Sequence, residues 1–84
     1  MQPNAFLVVR PTDISESKRI ASSLREGGPV LLDSSELSNE DRYRMYDYLR
    51  GAAFVLDMTV RQINRNQLLF LAEDQDGGEL ELED

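Results

Sequence analysis

The chain has 84 residues, enough for one small domain, with no cysteine and no histidine. That removes disulfides, thiolate metal sites, cysteine nucleophiles and imidazole acid–base chemistry. Its formal net charge of −7 is unevenly spread, because Glu73 to Asp84 carry seven of the sixteen acids and neither Lys nor Arg. Residues 1–72 are therefore formally neutral, with nine acids and nine bases. A neutral body with an acidic tail is a poor match for phosphate backbones, so no nucleic-acid partner is expected.

The elements follow in chain order. Ala5 to Arg10, "AFLVVR", is a short apolar run between Pro3 and Pro11 and reads as a buried strand. The period then becomes helical. Asp13 is an N-cap with Glu16 at capping-box spacing, Ser17, Ile20, Ala21 and Leu24 share one face, and Gly27-Gly28 ends the helix. Pro29 to Asp33 is a second strand. Ser38 caps a second helix, with Asp41 at the box position and Met45, Tyr46, Leu49 and Ala53 in one stripe. "AFVLD", from Ala53, reads as a third strand, Thr59 to Ile63 as a fourth and Gln67 to Ala72 as a fifth. Asn64 to Asn66 forms the last turn, since asparagine tolerates left-handed backbone.

The order β-α-β-α-β-β-β predicts an α/β two-layer sandwich, with two helices on one face of a mixed sheet of about five strands. Residues 1–72 form the core domain, and residues 73–84 are expected to be an acidic disordered tail. Runs as apolar as "FLVV" and "LLFL" suggest strands buried on both faces, which two helices cannot achieve. A partner subunit on the open face resolves this, so a homodimer is expected.

Catalytic constellations are thin. Lys18 is the only lysine and lies among polar helix residues; Glu40 and Asp41 suit the helix dipole better than paired-carboxylate chemistry. No phosphate-binding loop or metalloprotease motif occurs, and "DQDGGELE" lacks the ligand spacing of a calcium loop. No enzyme activity, cofactor or metal is expected. No apolar run approaches the ~20 residues needed to span a bilayer, and "MQPNAFLVVR" has no signal-peptide features, so the chain is expected to be cytoplasmic. Tyr43, Tyr46 and Tyr48 all fall on the second helix. Tyr48, Gly51 and Ala52 mark a flank that another backbone could approach closely; the competing reading makes Gly51 a helix C-cap with positive φ.

The segment "DYLRGAAFVLD" resembles the most recognisable phrase of the SepF family of cell-division proteins. There a helix ends in a phrase of the type "FLxGaxyALdG", followed by "xxQKIgexxFL". The match runs through Asp47, Tyr48, Leu49, Gly51, Ala52, Leu56 and Asp57, then Gln62, Ile63 and Leu68-Leu69. With the preceding strand, capped helix and second strand, it covers roughly residues 6–71. The resemblance implies a dimeric α/β core that self-assembles further and binds the C-terminal tail of the tubulin-like division protein FtsZ. It also implies membrane tethering by an N-terminal amphipathic helix, which is not expected in the few residues before the first strand, and action at the division site on the inner face of the membrane. It ties Gly51, with Tyr48 and Ala52, to self-assembly, and Gln62 and Leu68, supported by Ile63, to the FtsZ tail. Four positions depart from the family pattern. Met58 and Asn64 replace glycines, Gln62 replaces a lysine and Leu68 an aromatic. The alternative function is a dimeric small-molecule regulatory module of ACT or ferredoxin-like type, against which the "RPTD" turn after the first strand, with no glycine, argues.

Overall fold

The computed structural model describes residues 7–72. The acidic tail, and the disorder expected of it, lie outside the described residues. Four strands, β1 (Leu7–Val9), β2 (Val30–Asp33), β3 (Met58–Asn64) and β4 (Gln67–Ala72), form one sheet in the order β1-β2-β4-β3. β1 runs parallel to β2, and the other two pairings are antiparallel. Two helices, α1 (Ser17–Arg25) and α2 (Asn39–Val55), complete the expected two-layer sandwich over a mixed sheet.

Register explains the layers. Val30 pairs with Phe70 and Leu32 with Leu68, and all four are essentially inaccessible. Paired residues share a face, so these four form one apolar surface. They join Ile20 and Leu24 from α1 and Met45, Tyr46, Leu49 and Ala53 from α2 in a single buried cluster. The alternate positions, Val8, Leu31, Leu69 and Arg61, line up across the other face. There Val8 is 51% exposed, and Leu31 and Leu69 are half-buried. Within one protomer the strands are thus buried on one face, not both.

The sheet has four strands because "AFVLD" is not one of them. α2 runs through Gly51 to Val55, and the Leu56 N–H bonds back to the Ala52 and Ala53 carbonyls. A short apolar run does not by itself distinguish strand from helix. The residues that settle it are Ala53, buried at the end of the stripe through Met45 and Leu49, and Phe54 and Val55, which are 83% and 77% exposed. The C-cap reading of Gly51 falls with this, since the glycine lies inside the helix. The left-handed residue after α2 is Asp57, at φ 60°. It makes the reversal that takes the helix directly into β3, so no longer loop is needed.

Two further turns depart from expectation. Asp13 does cap, accepting from the Ser15 N–H, but it opens a 3-10 turn at Ile14–Glu16 before α1 begins. The reciprocal bond is displaced by one residue, because Glu16 accepts from the Thr12 N–H at 2.8 Å rather than from Asp13. At the β3–β4 turn none of Asn64, Arg65 and Asn66 has positive φ. Asn64 instead accepts from the Asn66 N–H through its side chain, and Ile63 is an extra residue between the Gln62–Leu68 and Asn64–Gln67 pairs. Ser38 caps α2 as expected, accepting from Asp41 N–H at 3.1 Å.

These observations give two expectations. Left-handed backbone costs an L-residue about 1–2 kcal/mol, least for aspartate and asparagine. Asp57→Val should therefore lower unfolding free energy by about 1 kcal/mol or more, and Asp57→Gly should not, in urea titrations. The second concerns acid. Hydrogen bonding from Ser15 holds Asp13 below its ordinary 3.8, and the Thr12 N–H holds Glu16 below its ordinary 4.5. A depressed folded-state value stabilises above the unfolded value, and that stability is lost as pH falls through the folded one. Urea midpoints should drop on acidification below these ordinary values, and Glu16→Gln should reduce the drop.

Candidate interaction site

No enclosed cavity dominates the described residues; the notable surfaces are an interhelical groove and the tip of a hairpin. The groove of about 750 Å³ is open and runs between α1 and α2. Ala21, Lys18 and Arg25 form one wall, and Tyr48, Gly51, Ala52 and Val55 the other. The helical period places these α2 residues beside the buried stripe rather than in it. Tyr48 is 46% exposed, its ring forming one end of the α2 wall.

Gly51 is the informative residue. A Cβ built there would meet nothing within 4 Å. Packing inside the protomer therefore gives no reason for glycine, which costs about 1 kcal/mol against alanine in a helix interior. The structure brings Tyr48, Gly51 and Ala52 together on one surface, as their spacing implied. It adds Val55 and neighbouring Phe54, which the strand reading of "AFVLD" had removed from the helix. Their signal was the uninterrupted helical period through Ala53.

The three residues expected around a partner peptide fall at different depths. Gln62 and Leu68 are directly paired across β3 and β4. Gln62 is exposed and donates to the Asn64 carbonyl at 3.1 Å. Ile63, at the bulge, is 52% exposed. Leu68 is fully buried and belongs to the core, so it can support such a surface only from beneath. The strands on both sides of it explain why. Leu68 faces the helices with Leu32 and Phe70.

Sequence reading missed a buried polar cluster beside the hairpin. Ser34 and Tyr46 are buried, and their hydroxyls lie 3.1 Å apart. Both reach the turn, Tyr46 at the Arg65 carbonyl and Ser34 at the Asn66 carbonyl, each at 3.0 Å. Arg42, also on the buried stripe, donates to Asn39 at 2.7 Å. Asp33 is held below its ordinary 3.8, chiefly by the Ser35 N–H and then by Arg10, 3.3 Å away. Among the described residues no group of three or more acids could hold a metal ion. No described helix is long and apolar enough to cross a membrane.

The sequence model of the family described as "Cell division protein SepF" matches residues 7–75. The chain belongs to the SepF family. It is similar to the cell division protein SepF of Nocardia farcinica, 48% identical over 48 residues, covering 57% of this chain and 17% of that protein. It is 42% identical to the SepF of Rhodococcus opacus over 48 residues, 57% of this chain and 21% of the relative. The longest of these matches is to SepF 2 of Desulforamulus reducens, 31% identical over 66 residues, or 79% of this chain and 41% of that protein. The chain thus spans less than half the length of these SepF relatives, and its family is one of cell division proteins.

A glycine that nothing inside the SepF protomer requires should be replaceable without harm to the fold. Gly51→Lys should raise the melting temperature slightly, since lysine is a good helix former and the site is open. If Gly51 is kept for contact between copies, the same variant should sediment as a smaller species than the parent. Parent-like sedimentation would remove the interface reading.

Proposed function

We propose that this chain is a non-enzymatic cell-division adaptor that dimerises, self-assembles and binds the C-terminal tail of FtsZ, linking the division ring to the membrane. The observation that carries this reading is Gly51: a helical glycine without an internal role, on an exposed flank, in a chain of the SepF family. Two surfaces support this reading. The open sheet face, with Val8, Leu31 and Leu69, suits the dimer, because apolar surface of this kind is removed from water by association. The flank of Tyr48, Gly51 and Ala52 suits further assembly, because a residue without a side chain permits close backbone approach.

The FtsZ tail is assigned to the hairpin, at Gln62 and Ile63, with Leu68 supporting from the core. A bound peptide needs an apolar contact and polar groups that fix its register. Ile63 supplies the first and Gln62 an amide that both donates and accepts. A glutamine in place of the family's lysine makes the contact neutral at this position, so the salt dependence of binding should be weak. The membrane connection would come from an amphipathic N-terminal segment of the kind the family resemblance implies, and the site of action is the inner face of the membrane at the division plane.

Calorimetry with a peptide of the FtsZ C-terminal tail tests the reading. Ile63→Asp should weaken binding at least tenfold and Gln62→Ala more modestly, with melting temperatures near the parent's because both residues are exposed. Parent-like affinity in Ile63→Asp would place the peptide elsewhere.

A further inference from the structure

The β3–β4 turn is a two-residue loop, Arg65-Asn66, closed by the Asn64–Gln67 pair. Such loops ordinarily take their shape from positive φ at the central residues. Neither residue has it here. Besides the Asn64 side chain, which accepts from the Asn66 N–H, the turn is held by groups from outside the hairpin. The Tyr46 hydroxyl donates to the Arg65 carbonyl at 3.0 Å. The Ser34 backbone N–H and hydroxyl both donate to the Asn66 carbonyl, at 2.7 and 3.0 Å. Both consecutive carbonyls of the turn are therefore captured by residues distant in sequence.

Tyr46 itself has little freedom. Its side chain is in the buried cluster, and the Arg50 guanidinium lies 5.9 Å over its ring. The Tyr46 and Ser34 side chains are buried, and burial strengthens a hydrogen bond and raises the cost of losing it. The consequence reaches the exposed residues of β3. The Gln62 side chain donates to the Asn64 carbonyl, and Ile63 is the bulged residue immediately before the turn. Their directions depend on the turn backbone, and the turn backbone depends on α2.

We propose that Tyr46 is a positioning residue. Its hydroxyl clamps the hairpin tip to α2 and so sets the pose in which Gln62 and Ile63 meet a peptide. The same helix carries Tyr48 two residues later on its exposed flank. One rigid element therefore bears both the clamp and the assembly surface. The binding part of this proposal rests on the peptide-site reading above; the clamp does not.

Tyr46→Phe keeps the ring and removes the one hydroxyl, and Ser34→Ala removes the Ser34 hydroxyl's bond to Asn66 while leaving the backbone N–H bond in place. Leu24→Val, a core change on α1, is the control for general loss of stability. Amide exchange and FtsZ-tail calorimetry are read on all three. The expected result is faster exchange confined to Gln62–Gln67 and about tenfold weaker peptide binding in Tyr46→Phe, with Ser34→Ala showing a smaller change of the same kind and Leu24→Val a uniform rise in exchange with parent-like affinity. Exchange that rises uniformly, as in the control, would overturn the clamp. Faster exchange at the tip with parent-like affinity would overturn the positioning role. If the parent binds no peptide, the peptide-site reading fails and the positioning role with it, while the exchange pattern still decides the clamp. Should Tyr46→Phe not fold, Ser34→Ala carries the same comparison.

Discussion

One helical layer over one sheet can bury only one side of that sheet, and the rest of the structure follows from that constraint. Leu32, Leu68 and Phe70 are closed off by Met45, Leu49 and Ala53, which makes a small but complete core. The strands that present them are apolar at the alternate positions as well, so Val8, Leu31 and Leu69 remain half in water. A domain of this size buries only about 60% of the surface its unfolded chain exposes, which leaves it little margin of stability of its own. The proposed dimer would cover this second face.

α2 is the other organising element. Its 17 residues carry the buried stripe on one side and Tyr48, Gly51 and Val55 on another. The helix could have ended at Gly51, where an αL glycine would have stopped it cheaply. It continues instead, and a residue unfavourable to helices sits in a place where a side chain would meet only open space. The extra turn also leaves Phe54 and Val55 in solvent. These features share one end of the helix, so a contact made there would cover them together.

The layer architecture was legible because two segments of helical period alternate with short apolar runs of strand length. The caps at Asp13 and Ser38 were legible because short polar side chains before a periodic run satisfy N–H groups that the helix leaves free. The end of α2 was misplaced for a physical reason. "GAAFVLD" contains both a preferred stop residue and a strand-like apolar run, while the signal that prevails is the burial of a single alanine, Ala53. The Asn-Arg-Asn turn stands where it was expected, but without the left-handed backbone; hydrogen bonds from the Asn64 side chain, Tyr46 and Ser34 hold it instead. Tyr48, Gly51 and Ala52 could be grouped by spacing alone. The depth of Leu68 could not, because "QLLFLA" offers two interchangeable apolar faces and only the paired structure tells which one meets the helices.

That interchangeability has a consequence for how the hairpin finds its partner positions. In most half-buried sheets a slip by one residue exposes the core side chains and buries polar ones, so the error is self-correcting. In β4 a slip would exchange Leu68 and Phe70 for Leu69 and Leu71, leucine for leucine and leucine for phenylalanine. Hydrophobicity scarcely discriminates between the two alignments. The carbonyls of Arg65 and Asn66 do, because they meet the Tyr46 and Ser34 hydroxyls in only one of them. The polar knot at the turn thus acts as an index mark for the strand: it tells an otherwise ambiguous ladder where to begin counting.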